Sequence, residues 1–105
     1  MKELLDRLKQ IDPTTYKRYN TNKIICDMEL AIAMKNAWLQ ACLQEAISDK
    51  GYMFSVSHIW PNASLPAYQW KARIFIDPDN IIERRSDLPA RALLGAYIAA
   101  CEAMT

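Results

Sequence analysis

The sequence is poor in the residues from which catalytic and metal sites are most often built. It has one histidine, two glycines and three cysteines in 105 residues. The glycines, Gly51 and Gly95, stand far apart, which excludes a glycine-rich loop that cradles phosphate on backbone amides. Cys26, Cys42 and Cys101 are widely spaced, with no Cys-x-x-Cys pair. That pattern is neither a disulfide framework nor a zinc site. No apolar run approaches the ~20 residues of a membrane span. The opening "MKELLDRLKQ" is charged and lacks the apolar centre of a signal peptide. A soluble, reduced, cytoplasmic protein is the expectation. Net charge is also lacking: at +1 the whole-protein field does not attract nucleic acid.

What is present is globular. Hydrophobic residues make up 51% of the chain and charged ones 24%, enough for a core in a single domain of this length. Leu4, Leu5, Leu8 and Ile11 recur at helical spacing, predicting a short amphipathic helix. Asp12 followed by Pro13 is a second helix start, with Tyr16 and Tyr19 on one side. The long helix is predicted from an N-cap at Asp27 to Lys50, with Gly51 as its stop. Its apolar arc holds Trp38, Leu39, Cys42, Leu43 and Ala46, and Lys35 within the arc is read as a stem lying on apolar surface.

Strands follow. Tyr52, Phe54, Val56, His58 and Trp60 alternate with Met53, Ser55, Ser57 and Ile59. Tyr68, Trp70, Ala72, Ile74 and Ile76 alternate with Gln69, Lys71, Arg73, Phe75 and Asp77. "DPDN", Asp77–Asn80, is a turn into the third strand, "IIERRS". Alternation of this kind marks a sheet with one solvated face. The fold class expected is therefore α+β: a single-domain α-β-β-β-α sandwich. Its three-stranded antiparallel sheet is packed on one face by two long helices, with a short N-terminal helix besides.

The last helix combines an apolar arc of Leu93, Leu94, Tyr97, Cys101 and Met104 with a smooth flank of Ala92, Gly95, Ala96, Ala99 and Ala103. Small residues at this spacing let helix backbones approach closely. The long helix carries Ala33, Ala37 and Ala41 at the same interval. The preferred reading sets the two flanks against each other, so that Gly95→Leu wrecks the contact. The alternative seats a partner, or a second copy in a homodimer, on the exposed flank.

Candidate chemistry is sparse. Ser55 and Ser57 fall on the strand face opposite His58, so a local Ser–His dyad has poor geometry. A Cys–His pair through Cys42 or Cys101 stays open, against the ordinary role of buried cysteine as a small hydrophobe. The expectation is a protein that is not an enzyme and holds no metal or cofactor. One group stands out: Lys71, Arg73, Arg84 and Arg85 with Phe75, on the open sheet face and its edge. Basic residues around an aromatic suit an acidic protein surface or RNA. The element order is similar to that of the double-stranded-RNA-binding fold. Of the lysine cluster that opens that fold's last helix, only Arg91 has a counterpart here. Nucleic acid is accordingly the second choice of partner.

Three segments carry a family resemblance: "CDMELAIAMKNAW", "WKARIFID" and "SDLPARALLGAYIAA". An acid-capped Ala-rich helix entering an aromatic, a Trp-x-Ala-x-aliphatic strand and a Pro-x-x-Ala-aliphatic helix opening resemble the small phage ABA-sandwich domain family. The resemblance covers about residues 26–103. It implies an α/β sandwich domain at 26–105, preceded by an N-terminal helical extension and linker at 1–25. It further implies a phage or prophage origin, and no catalytic residues come with it. The expected function is binding of a bacterial host protein or complex, as in antagonism of a defence system such as a CRISPR complex.

Overall fold

Asp12 decides how the chain begins to fold. The computed structural model describes residues 2–21, 32–59 and 69–103. Helix α1, Lys2–Ile11, stops at Asp12, and helix α2, Pro13–Thr21, starts directly after it. The Asp12 carboxylate accepts from the Thr15 amide at 3.1 Å and from the Thr15 hydroxyl at 2.6 Å. Proline costs nothing at the first helical position, where no intrahelical N–H bond is due. Both helices are short for isolated stability and depend on packing.

Helix α3, Ile32–Asp49, is the long Ala-rich helix, and its predicted cap at Asp27 lies outside the described residues. Its end is a Schellman motif. Gly51 has φ +77° and donates its N–H to the Ser48 carbonyl at 2.9 Å, while the Tyr52 N–H reaches the Ile47 carbonyl at 3.1 Å. Glycine is needed there because a Cβ is strained in this left-handed region.

Strands β1, Met53–Ile59, β2, Gln69–Asp77, and β3, Asn80–Ser86, form an antiparallel sheet in the order β1-β2-β3. The β2–β3 turn is fixed by Asp77, which accepts from the Asp79 amide and from the Asn80 side chain. One face carries the rows Phe54–Ile74–Ile82, Val56–Ala72–Arg84 and His58–Trp70–Ser86. Helix α4, Pro89–Ala103, crosses this face over β2 and β3, with α3 beside it. Helix α1 packs on α4, and α2 on α3. The layers thus run α1/α2, then α3/α4, then sheet, and none of the described helices lies on the other sheet face. The α+β arrangement and the open face follow the strand alternation.

Two expectations are corrected. Residues 2–21 pack as part of the fold and not as an extension of it. Leu8 has no exposed surface and shares a core with Leu39, Ile74, Leu93 and Tyr97. Three contacts reinforce this: Arg7 pairs with Glu102, Arg18 with Glu45 at 3.1 Å, and the Trp38 indole N–H donates to the Tyr19 carbonyl at 3.0 Å.

The second correction concerns the smooth flanks. Ala37 and Ala41 of α3 face solvent, and Ala33 is a side chain outside the described ones. The long helix turns Leu39, Cys42, Leu43, Ala46 and Ile47 inward instead. Large side chains exclude more water per residue than alanine, so the leucine arc takes the core. On α4, Ala92 and Ala96 are buried, Gly95 and Ala99 half-buried and Ala103 exposed. They do not form one exposed stripe for a second copy. A Cβ added at Gly95 would meet the Arg84 stem of β3 at 3.7 Å, an ordinary contact, so this glycine faces the sheet edge and not α3.

Candidate interaction surface

The open sheet face carries three rows that cross all three strands and, at its far end, the pair Ile59–Gln69. Met53, Phe75 and Ile81 form an apolar row across all three strands. Ser55, Arg73 and Glu83 form the next, and Ser57, Lys71 and Arg85 the third. Met53 is 74% exposed and Ile81 49%, and they are the large hydrophobic side chains classed as exposed among the described residues. Phe75, half-buried, joins them. Two otherwise isolated surface apolar residues thus become one patch, continued into a shallow cavity of about 330 Å³ lined by Gly51, Met53, Phe75, Ile76, Asp77 and Pro78.

The basic residues beside it are organised around one carboxylate. Glu83 accepts from Arg73 Nε at 2.8 Å and lies 3.5 Å from Arg85 Nε. The Arg73 hydrogen bond holds the Glu83 carboxyl below its usual range, with the charges of Arg73, Arg85 and Lys71 acting in the same direction. Such exposed pairs contribute little stability. Their effect is to hold Arg73 in the row beside the apolar one and Arg85 one row farther out.

Of the five residues expected on this surface, four share it: Lys71, Arg73, Phe75 and Arg85. Arg84 does not. It lies opposite Ala72, which is fully buried, and so points to the helix side, where its stem covers Gly95. The sequence reading ran Arg84 and Arg85 together although neighbours on a strand face opposite ways. It missed Met53 and Ile81 as well. The turn at Asp77–Asn80 by itself sets Ile81 opposite Ile76; a bulge between Phe75 and Asp77 shifts the register and brings Phe75 opposite Ile81. Met53 joins only through the β1–β2 pairing, which is not local.

The remaining candidates for chemistry sit elsewhere. Ser55 and Ser57 are on the open face, and His58 on the other, stacked on Trp70 with ring centroids 4.5 Å apart. Cys42 and Cys101 are buried, and Cys26 lies outside the described residues. Desolvation raises the Cys101 thiol, which favours its protonated form. A polar cluster joins α4 to the α1–α2 corner: the Tyr97 hydroxyl donates to Asp12 at 2.5 Å. Burial, then the Asp12 bond, push the tyrosine far above its ordinary value. Burial opposes charge on Asp12 itself, but hydrogen bonds from Thr15 and Tyr97 outweigh it and hold this carboxyl low. Acid and phenol are driven apart, away from neutrality, and the pair acts as a buried fastener. Among the described residues no three His, Cys, Asp or Glu side chains converge as a metal site, and no helix is long and apolar enough to cross a membrane.

Compared with protein-family models, with curated proteins and with solved structures, the chain matches none.

Proposed function

We propose that this chain is a non-enzymatic interaction module that binds another protein through the open face of its sheet. The observation that carries this reading is the Met53–Phe75–Ile81 row, with Arg73 in the row beside it and Arg85 in the next. Interface centres favour Met, aromatics and Arg, with a polar rim, and this surface has that composition and order. The partner it fits presents an apolar centre flanked by acidic side chains, which meet Lys71, Arg73 and Arg85. The resemblance to the phage ABA-sandwich family makes a bacterial host protein, such as a component of a defence complex, the first partner to test.

The second reading, a nucleic-acid strand on the basic rows, has Lys71, Arg73 and Arg85 in its favour. Glu83 between the two arginines opposes it, because a phosphate there meets a fixed carboxylate.

The test is capture from nuclease-treated bacterial lysate, followed by affinity measurement on the purified partner. Ile81→Asp with Met53→Asp removes the apolar row from solvent-facing positions and leaves the core intact. It is expected to weaken binding at least about tenfold, the loss of 1.4 kcal/mol or more typical of a dominant interface residue. Circular dichroism should be unchanged. Binding should survive added salt, whereas a phosphate-driven complex loses affinity steeply. A folded double variant that binds its partner as the parent does removes this face from the proposal.

A further inference from the structure

A second surface is chemically unlike the first. At the outer edge of β3, between α1 and α4, lies a cleft of about 290 Å³. Arg7 comes to it from α1, Arg84 and Arg85 from β3, and Arg91 from the first turn of α4. Its floor is apolar and small, made by Gly95, Ile98 and Ala99. The one carboxylate in its lining is Glu102, which pairs with Arg7.

The four guanidiniums are unequally satisfied. Arg91 binds Asp87 at 2.7 Å through one terminal nitrogen, but its Nε is buried and has no hydrogen-bond partner among the described residues. Arg84 gives one terminal nitrogen to the Glu83 carbonyl at 2.7 Å and has no carboxylate within ion-pair distance among the described residues. Arg85 is held only at 3.5 Å by Glu83. Three of the four have a carboxylate partner and Arg84 has none among the described residues, so the hollow carries positive charge that a bound anion would offset.

We propose that this cleft binds a small molecule through a phosphate group carrying two or more negative charges. A guanidinium presents a rigid fork of donors that matches phosphate oxygens, and one phosphate has enough acceptors to bridge several such forks. A single carboxylate has too little charge for the task. Asp87 and Glu102 are already engaged by Arg91 and Arg7, and Arg84 has no carboxylate partner among the described residues. The shape favours a small ligand over a nucleic-acid strand. The arginines approach from α1, β3 and α4 around a hollow, and do not follow a linear track. The volume is close to the lower end of small-ligand sites, about 300 Å³. This site is independent of the open-face reading, sharing only Arg85 with it.

The experiment is calorimetric titration of the full chain with inorganic pyrophosphate and with ATP at low salt, with citrate as the carboxylate control. Arg84→Gln is the main variant. The stem atoms that cover Gly95 are Cβ and Cγ, and glutamine keeps both, so the fold should be retained. Arg7→Gln, on an exposed side chain, is the second variant, and Arg18→Gln, on α2 and paired with Glu45, is the control. Saturable one-to-one binding of pyrophosphate is expected, weakened about tenfold or more in Arg84→Gln and in Arg7→Gln, since hydrogen bonds to charged groups carry about that effect. Arg18→Gln should bind as the parent does. Absence of saturable binding, equal affinity for citrate, unchanged binding in both cleft variants, or an equal loss in Arg18→Gln would each overturn the assignment.

Discussion

Helices α3 and α4 have much the same composition and quite different surroundings. Both are Ala-rich, nearly uncharged on their inner faces and similar in length. Yet α4 buries residues on every side, among them Ala90, Ala92, Leu94, Ala96, Ile98 and Ala100, while α3 leaves Ala37 and Ala41 in solvent. The reason is position. The sheet lies under α4, α3 beside it and α1 above it, whereas one side of α3 meets water. A helix apolar all round is stable only when enclosed. Small residues on α4 are therefore a condition of crowding. On α3 the alanines at 37 and 41 reflect helix propensity at solvent-facing sites.

The sharpest way to break this comparison is to remove the cover from α4. Leu8→Ala deletes a fully buried side chain of α1, and loss of about 2–5 kcal/mol is expected in urea unfolding, as for buried leucines generally. If residues 1–25 were an appendage, the midpoint would hardly move.

A smaller effect comes from enlarging alanine on each helix. Ala96→Leu should cost about 1–3 kcal/mol by overpacking, because Ala96 has no exposed surface. Ala41→Leu, at an exposed site, should stay within about 0.5 kcal/mol. Equal melting temperatures for the two variants would show that the helices are not differently enclosed.

The smallest change tests the fastener between α4 and the N-terminal corner. Asparagine is as good an N-cap as aspartate, so Asp12→Asn isolates the charge that Thr15 and Tyr97 support, and about 1 kcal/mol is expected at pH 7. The folded-state carboxyl titrates below the ordinary Asp value of about 4, so its contribution is complete above that pH. It is lost as pH falls through the lower, folded value. The gap between parent and variant should therefore be constant near neutrality and close in acid. A gap that widens on acidification would mean that Asp12 is not held ionised.

Much of the fold was legible because its signals are local. Asp12–Pro13, Gly51 and the Asp77–Asn80 turn each act through backbone geometry within a few residues, and each sits where the sequence places it. Period-two alternation in β1 and β2 gave the single open face and put Arg73 and Phe75 on it. The candidate surface was legible only in part. Arg84 was put on the wrong side because strand β3 has polar and apolar residues on both faces, so alternation there carries little information.

By itself, then, the sequence determined the elements, the ends set by Asp12–Pro13, Gly51 and the Asp77–Asn80 turn, and which face of the sheet is wet, since caps, turns and periodicity need no distant partner. Tertiary structure alone decided which alanine flank is enclosed, that α1 belongs to the core, and that Met53, Phe75 and Ile81 meet in one row. It also brought Arg7, Arg84, Arg85 and Arg91 to one cleft from three separate elements. Each of these depends on strand register or on which helix lies between two layers. Those are set by the summed burial of residues far apart in the chain, a quantity that no local stretch contains.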